Sequence, residues 1–353
     1  MNEIVNKIVS SGFEAYIVGG YVRDYLLGLK SYDIDICTNA SIDQIVNIFG
    51  NEGTCNKQYF SYHLVKDKYQ YDITCFRKEL EYKKNKPIKI KLAKDLKTDL
   101  LRRDFTINTF AIDSNGKFID LLNSKIDLDN KIIKVVDNTY KKLEEDKTRI
   151  IRAIRFFCTL NFELHDEIKS FLKEKGYLLN DVPREYIKKE LDKIFENGNY
   201  IKFFDLVKEY NLEKYLSIKF SDIKQAYNCI GVWAQIETEL PLTKVEKKTI
   251  DNIKYLVKEK SLNLSNMFLY NDDVIKNVAC ILNLDKEIKE FYEIKKMHSI
   301  IDIDVTLDIL SKYVDIKNIR KVYKILEKNI LEGKLGNDAY SIERFLKNRE
   351  YKI

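Results

Sequence analysis

At 353 residues the chain exceeds the size at which one hydrophobic core usually stops growing, so two or more packed units are expected. Hydrophobic residues at 45% and charged residues at 33% describe a folded chain, and no apolar run approaches the roughly 20 residues of a membrane span. The net charge of +6 fits a polyanionic partner without requiring one. Met1 to Gly12 lacks the apolar stretch of a secretory signal, so a cytoplasmic protein is expected. Six scattered cysteines with no CxxC pair argue against a zinc knuckle or disulfide framework and read as buried thiols. Three dispersed histidines are too few for a His-based metal site or a Ser/His triad, so any metal must be held by carboxylates.

In chain order, residues 15 to 18 read as a buried strand, Gly19-Gly20 as a corner, and Tyr21 to Leu27 as a helix closed by Gly28. Asp33 to Cys37 is a second strand, and Ser41 with Gln44 makes a capping box for a helix reaching Phe49. Residues 60 to 66 and 69 to 76 form a hairpin around Lys66-Asp67-Lys68. Lys78 to Pro87 reads as a polar segment, and Arg102 to Asp104 as one too charged for a core. From about Asn138 the pattern turns helical: Lys142 to Leu160, His165 to Glu174, Arg184 to Phe195, then amphipathic stretches to the end. The expected class is α+β, a mixed head with a small sheet (1–137), a helical neck (138–200) and a helical body and tail (201–353).

Asp33 and Asp35 sit two apart on a strand, so both project from one face within reach of a shared cation. Hard carboxylates suit Mg²⁺, which also takes substrate phosphates as ligands. A solvated strand edge would explain the same pair. Gly19-Gly20, between strand and helix, lets backbone approach a phosphate, and Arg23 follows in the first helical turn. Asp72, on the later strand, is a candidate third carboxylate or a plain solvent-facing acid.

Gly19 to Gly28 followed by Asp33-Ile34-Asp35-Ile36 resembles the first motif of the class II tRNA nucleotidyltransferases, the CCA-adding enzymes and bacterial poly(A) polymerases of the DNA polymerase beta superfamily. Arg102 to Asn108 resembles the second motif, Asp120-Leu121 lies in what looks like the third, and Glu145 to Arg149 with Arg152 to Phe156 resembles the fourth. Pro183 to Leu191 is a weaker fifth. The resemblance implies a two-metal transfer of C and A onto a tRNA 3′ end from CTP and ATP. It places Arg103 at the nucleotide, with Asn108 as a supporting contact, and makes Lys78 to Pro87 the family's flexible loop.

Asp146, Arg149, Arg152 and Arg155 recur every three residues, so on one helix the stripe would wind half-way round it. Asp146 and Arg149 are neighbours that could read a base edge, whereas Arg155 would point away, toward phosphate or structure. A carboxylate accepts from the exocyclic amine of C or A, and an arginine donates to the adjacent ring nitrogen. An i, i+3 surface ion pair is the alternative. Rival functions are an A-adding or CC-adding specialist, a poly(A) polymerase, a silent RNA-binding protein and a small-molecule nucleotidyltransferase. No obligatory protein partner is evident.

Overall fold

The computed structural model describes residues 3–197, 199–260, 262, 270–284, 286, 288–289, 303, 305–315 and 318–348. It divides into two compact units, Met1–Ser217 and Ile218–Ile353.

The strands of the first unit's front part are β1 (Ala15–Val18), β2 (Asp33–Thr38), β3 (Gly53–Asn56), β4 (Ser61–Lys66), β5 (Tyr69–Cys75), β6 (Arg77–Lys83), β7 (Lys86–Leu92), β8 (Ala111–Ile112) and β9 (Phe118–Ile119). Seven of them form one sheet in the order β3-β4-β5-β2-β1-β8-β9. Within it, β2 and β5 run parallel, which sets Asp35 opposite Asp72. Strand β2 alternates as a two-residue period requires: Ile34 and Ile36 are buried, and Asp33 and Asp35 are exposed. Helices α1 (Glu3–Ser10), α2 (Gly20–Leu26) and α3 (Ile42–Phe49) pack on the strands, and the Ser41–Gln44 capping box opens α3. Helix α4 (Leu96–Leu101) lays Leu96 and Leu100 against Cys37, Val18, Ala111 and Phe76. Cys37 lies on the same side of β2 as the two aspartates, so α4 closes one end of that face and leaves the other open.

Strands β6 and β7 are not the loop expected for Lys78 to Pro87 but an antiparallel hairpin forming its own two-stranded sheet. Its turn residues Lys84 and Asn85 both take positive φ, at 50° and 63°, the conformation that a twisted two-residue hairpin turn needs.

Helices α5 (Lys125–Asp129), α6 (Thr139–Glu145), α7 (Thr148–Thr159), α8 (Asp166–Lys175) and α9 (Arg184–Asn197) follow. The expected unbroken helix from Lys142 to Leu160 is in fact interrupted. Asp146 adopts an extended backbone, φ −135° and ψ 96°, and its carboxylate accepts from the Thr148 N–H at 3.0 Å. An aspartate at such a point competes with helix continuation by bonding nearby backbone. Helix α7 then buries Ile150, Ile151, Ile154 and Phe157 and packs on α9. Of the cysteines, Cys37, Cys75 and Cys158 are buried, as expected, but Cys55 is exposed and Cys229 and Cys280 are half-buried.

In the second unit, helices Cys229–Trp233, Lys244–Glu259 and Asp272–Leu282 pack together over the buried Trp233. A fully buried Asn277 ties them to the preceding chain: Oδ1 accepts from the N–H groups of Tyr227 and Asn228, at 3.0 and 3.2 Å. Its Nδ2 donates to Asn228 Oδ1 and Asp273 O, each at 2.8 Å. Gly231 must be glycine, because a Cβ there would lie 1.8 Å from Asn277 Oδ1. Asn277→Leu strands two donors and is expected to destabilise the chain by about 2 to 4 kcal/mol in denaturant unfolding.

Candidate active site

The open end of the sheet face holds Asp33 and Asp35 in a cavity of about 260 Å³, walled also by Gly19, Gly20, Arg103 and Arg155. Gly19, at φ 78° and ψ −145°, occupies backbone space essentially reserved for glycine. A Cβ there would fall 2.5 Å from Asp35 Oδ2 and 2.9 Å from Arg103 Nη1, so the corner packs directly on the metal-ligand candidate. Asp35 reaches solvent, yet the protein mass around the cleft floor pushes its carboxyl above the usual range; Arg103 opposes this and Asp72 adds to it. A floor that raises a carboxylate in this way is one that a cation would relieve. Asp72 faces Asp35 in register, but its Oδ1 lies 2.9 Å from His63 Nδ1 and the residue does not line the cavity.

Along the wall of the same cavity runs a largely buried polar chain, whose Arg23, Asp24, Asp104, Asn108 and Arg152 all line it. Arg23 donates to Asp24 Oδ1 at 2.9 and 2.6 Å and to Asn108 Oδ1 at 2.7 Å. Asn108 Nδ2 donates to Asp104 Oδ1 at 2.9 Å, and Arg152 Nε to Asp104 Oδ2 at 2.9 Å. The motifs that carry Arg23, Asn108 and Arg152, with 85 positions separating the first two, thus share one network. The Phe156 ring packs against three guanidiniums: Arg155 at 3.9 Å, Arg23 at 4.9 Å and Arg152 at 5.7 Å from its centroid. Arg155 also donates to Glu190 at 2.5 Å.

Burial alone would raise the Asp104 carboxyl, but the Arg152 guanidinium and the Asn108 amide overcome it and hold it well below the usual carboxylate range. Asp104→Ala takes the carboxylate from the half-buried Arg152, which keeps Tyr186, and strands the buried Asn108 amide, with an expected cost of about 1 to 3 kcal/mol in urea unfolding at pH 7. Because the folded pKa is depressed, this stabilisation is complete above the ordinary carboxylate pKa and disappears as pH falls below it. The difference between wild type and variant should therefore shrink at about pH 3.

The segment read as too charged for a core is half-buried and lines the cavities, with its charges paired. Asp99, fully buried, accepts from Arg102 Nε at 2.9 Å, Arg103 Nη2 at 3.4 Å and the Arg77 N–H at 3.2 Å. Glu79 lies 3.3 Å from Arg77 and 3.6 Å from Arg102. Asp99 went unremarked in the sequence, although its i, i+3 and i, i+4 spacing to Arg102 and Arg103, at the end of α4, was a signal for it.

A second cavity, of about 590 Å³, shares Arg103, Asp104 and Arg152 with the first and is lined farther on by Asp146, Arg149, Tyr82 and Tyr186. Asp146 stands just before α7 rather than on it, yet its Oδ2 lies 3.8 Å from Arg149 Nε. Arg149 is fixed by the Lys142 carbonyl at 2.9 Å and the Tyr82 hydroxyl at 3.0 Å. At the hairpin tip, Asn85 donates to Asp181 O at 2.8 Å and accepts from the Lys147 N–H at 3.0 Å, holding β6–β7 beside the pair.

The front of this unit matches the poly A polymerase head domain over residues 15–134, and residues 161–219 match the probable RNA and SrmB-binding site of polymerase A. A CCA-adding enzyme of Listeria innocua is 29% identical over 97% of this chain and 96% of its own. One from Lactococcus lactis subsp. cremoris is 36% identical over 60% of this chain and 54% of its own. The chain belongs to the nucleotidyltransferase family of CCA-adding enzymes and poly A polymerases. The fold agrees: the Bacillus stearothermophilus CCA-adding enzyme in complex with CTP superposes with a TM-score of 0.77 at 19% identity, covering 98% and 96% of the two chains. The Thermotoga maritima CCA-adding enzyme complexed with tRNA gives 0.66 at 19% identity, over 99% and 94%. Nucleotidyltransferases of this kind generally use a divalent metal. Among the described residues no three acidic, His or Cys side chains are grouped to hold one unaided. An exposed pair of carboxylates fits an ion that completes its shell with substrate phosphates.

Proposed function

We propose that this chain adds C and A nucleotides to the 3′ end of tRNA, drawing on CTP and ATP, and that it acts in the cytoplasm. The observation that carries the reading is the joined cleft, with an open carboxylate pair at one end and the Asp146–Arg149 pair at the other. Residues 1–137 serve as the catalytic head, 138–200 as the nucleotide-recognition neck, and 201–353 as the body and tail that hold tRNA. Among the described residues no helix is long and apolar enough to cross a membrane.

Asp33 and Asp35 are the catalytic metal-binding residues in this reading, and Asp72, held by His63 outside the cavity, is the solvent-facing acid of the two alternatives rather than a third carboxylate. Bound Mg²⁺ would activate the tRNA 3′-hydroxyl and offset charge on the leaving pyrophosphate. Gly19 and Gly20 give the triphosphate a close approach to backbone, and Asp35 and Arg103 both lie against Gly19. Arg23, Asn108, Arg152 and Arg155 act through the buried network and the Phe156 stack, which set the shape and positive potential of the wall. Asp146 accepts from the exocyclic amine of C or A, while Arg149 donates to the adjacent ring nitrogen. Uracil and guanine offer a carbonyl there, and the unmet carboxylate costs about 1 to 3 kcal/mol.

The test is incubation of tRNA ending at the discriminator base with single nucleotides and with CTP plus ATP. Two C additions followed by one A, with UTP and GTP refused, are expected. A alone, C alone or a long A tail would identify a specialist or a poly(A) polymerase instead, and no incorporation with intact tRNA binding would leave an RNA-binding protein.

A further inference from the structure

Beside the catalytic cavity lies another pocket of about 260 Å³, walled by Tyr21, Tyr25, Lys30, Ser31, Tyr32 and Lys68 among others. Tyr21 and Ser31 belong to both, so the pocket opens directly off the chamber that holds Asp33 and Asp35. No carboxylate lines it. Lys68 Nζ is poised 5.4 and 5.6 Å from the ring centroids of Tyr32 and Tyr69, which fixes the ammonium over aromatic faces rather than on a counter-ion. Tyr25 and Tyr32 are exposed, an arrangement that hydrophobic packing does not require. Two ammoniums and several hydroxyls without an acid make a site for a small polyanion.

We propose that this pocket receives the pyrophosphate released by nucleotide transfer. The inference rests on the function proposed above. In that reaction the 3′-oxygen bonds to the α-phosphorus as the bond from that phosphorus to the α,β-bridging oxygen breaks. Pyrophosphate leaves with the bonding pair, and the hydroxyl proton passes to solvent. Attack and departure are in line, so the leaving group moves away from the RNA end. Tyr21, which follows Gly20 in α2, lines both cavities, so the glycine corner where the triphosphate is placed borders the pocket.

The experiment compares wild type with a Lys30→Gln/Lys68→Gln variant in CTP addition to tRNA, with added pyrophosphate or inorganic phosphate, and measures pyrophosphate binding directly by calorimetry. Both lysines are at the surface, and unchanged thermal melting checks folding. The expected result is a pyrophosphate inhibition constant raised about tenfold, matched in the direct binding, with the CTP KM within about twofold and phosphate inert. Unchanged pyrophosphate inhibition overturns the proposal. So does a CTP KM that rises in parallel, which would mean that the pocket holds the tail of intact nucleotide, or inhibition by phosphate equal to that by pyrophosphate. If wild type adds no nucleotide, the functional reading fails, and the calorimetric comparison still decides whether the pocket binds pyrophosphate.

Discussion

Asp35→Asn is expected to lower nucleotide addition by at least about 10³-fold while tRNA affinity stays within about twofold, because metal-borne charge stabilisation is worth several kcal/mol and each 1.4 kcal/mol is tenfold. The residue is suited to this role by position. It faces an open cleft, its carboxyl is pushed up by the surrounding protein, and Arg103 is its main counter-charge. Removing its charge should leave fold stability little changed, since relief of the desolvation of its carboxylate offsets the lost attraction to Arg103, which keeps Asp99. Single-turnover addition and filter binding on the same preparation check the prediction. Equal loss of catalysis and binding would show that Asp35 holds RNA or structure rather than the reacting phosphates.

Gly19→Ala should reduce addition by about 10²-fold or more with only a modest loss of stability, whereas Gly20→Ala should stay within about fivefold. The paired glycines look equivalent in the sequence but differ in the structure. At Gly19 a methyl group meets a strained backbone, Asp35 Oδ2 at 2.5 Å and Arg103 Nη1 at 2.9 Å, so the carboxylate must move. At Gly20 the nearest atom, on the Arg23 guanidinium, is 3.5 Å away, an ordinary contact, and φ is ordinary. A displacement near 1 Å at a catalytic ligand is enough to cost about two orders of magnitude. Activity and melting temperature of both variants decide it, and equal effects would remove the special role of Gly19.

Much of the architecture follows from local pattern. The strand pair at Ala15–Val18 and Asp33–Thr38, the capping box of α3, the β4–β5 hairpin and helices α8 and α9 form where alternation, caps and turn residues place them, because each obeys short-range rules of dihedral and burial. Asp33 and Asp35 share a face for the same reason: a two-residue period is a property of any strand. The resemblance of the ordered motifs likewise pointed to the family before any contact was seen.

What pattern could not supply is the partner of each charge. Arg102, Arg103 and Asp104 read as too charged for a core, and the i, i+3 and i, i+4 spacing to Asp99 is local, but only folding sets Glu79 and Arg152 beside them and makes their partial burial affordable. The Lys78 to Pro87 stretch reads as a polar segment because polar hairpins carry no strong apolar alternation, and its order comes from cross-strand bonds and the Asn85 latch. Asp146 breaks a helix that its neighbours would extend, since its carboxylate caps Thr148 instead. The residue types and their periodicity were thus written along the chain, while the pairing of charges more than about twenty residues apart, which decides what is buried and what remains open in the cleft, exists only once the strands and helices have met.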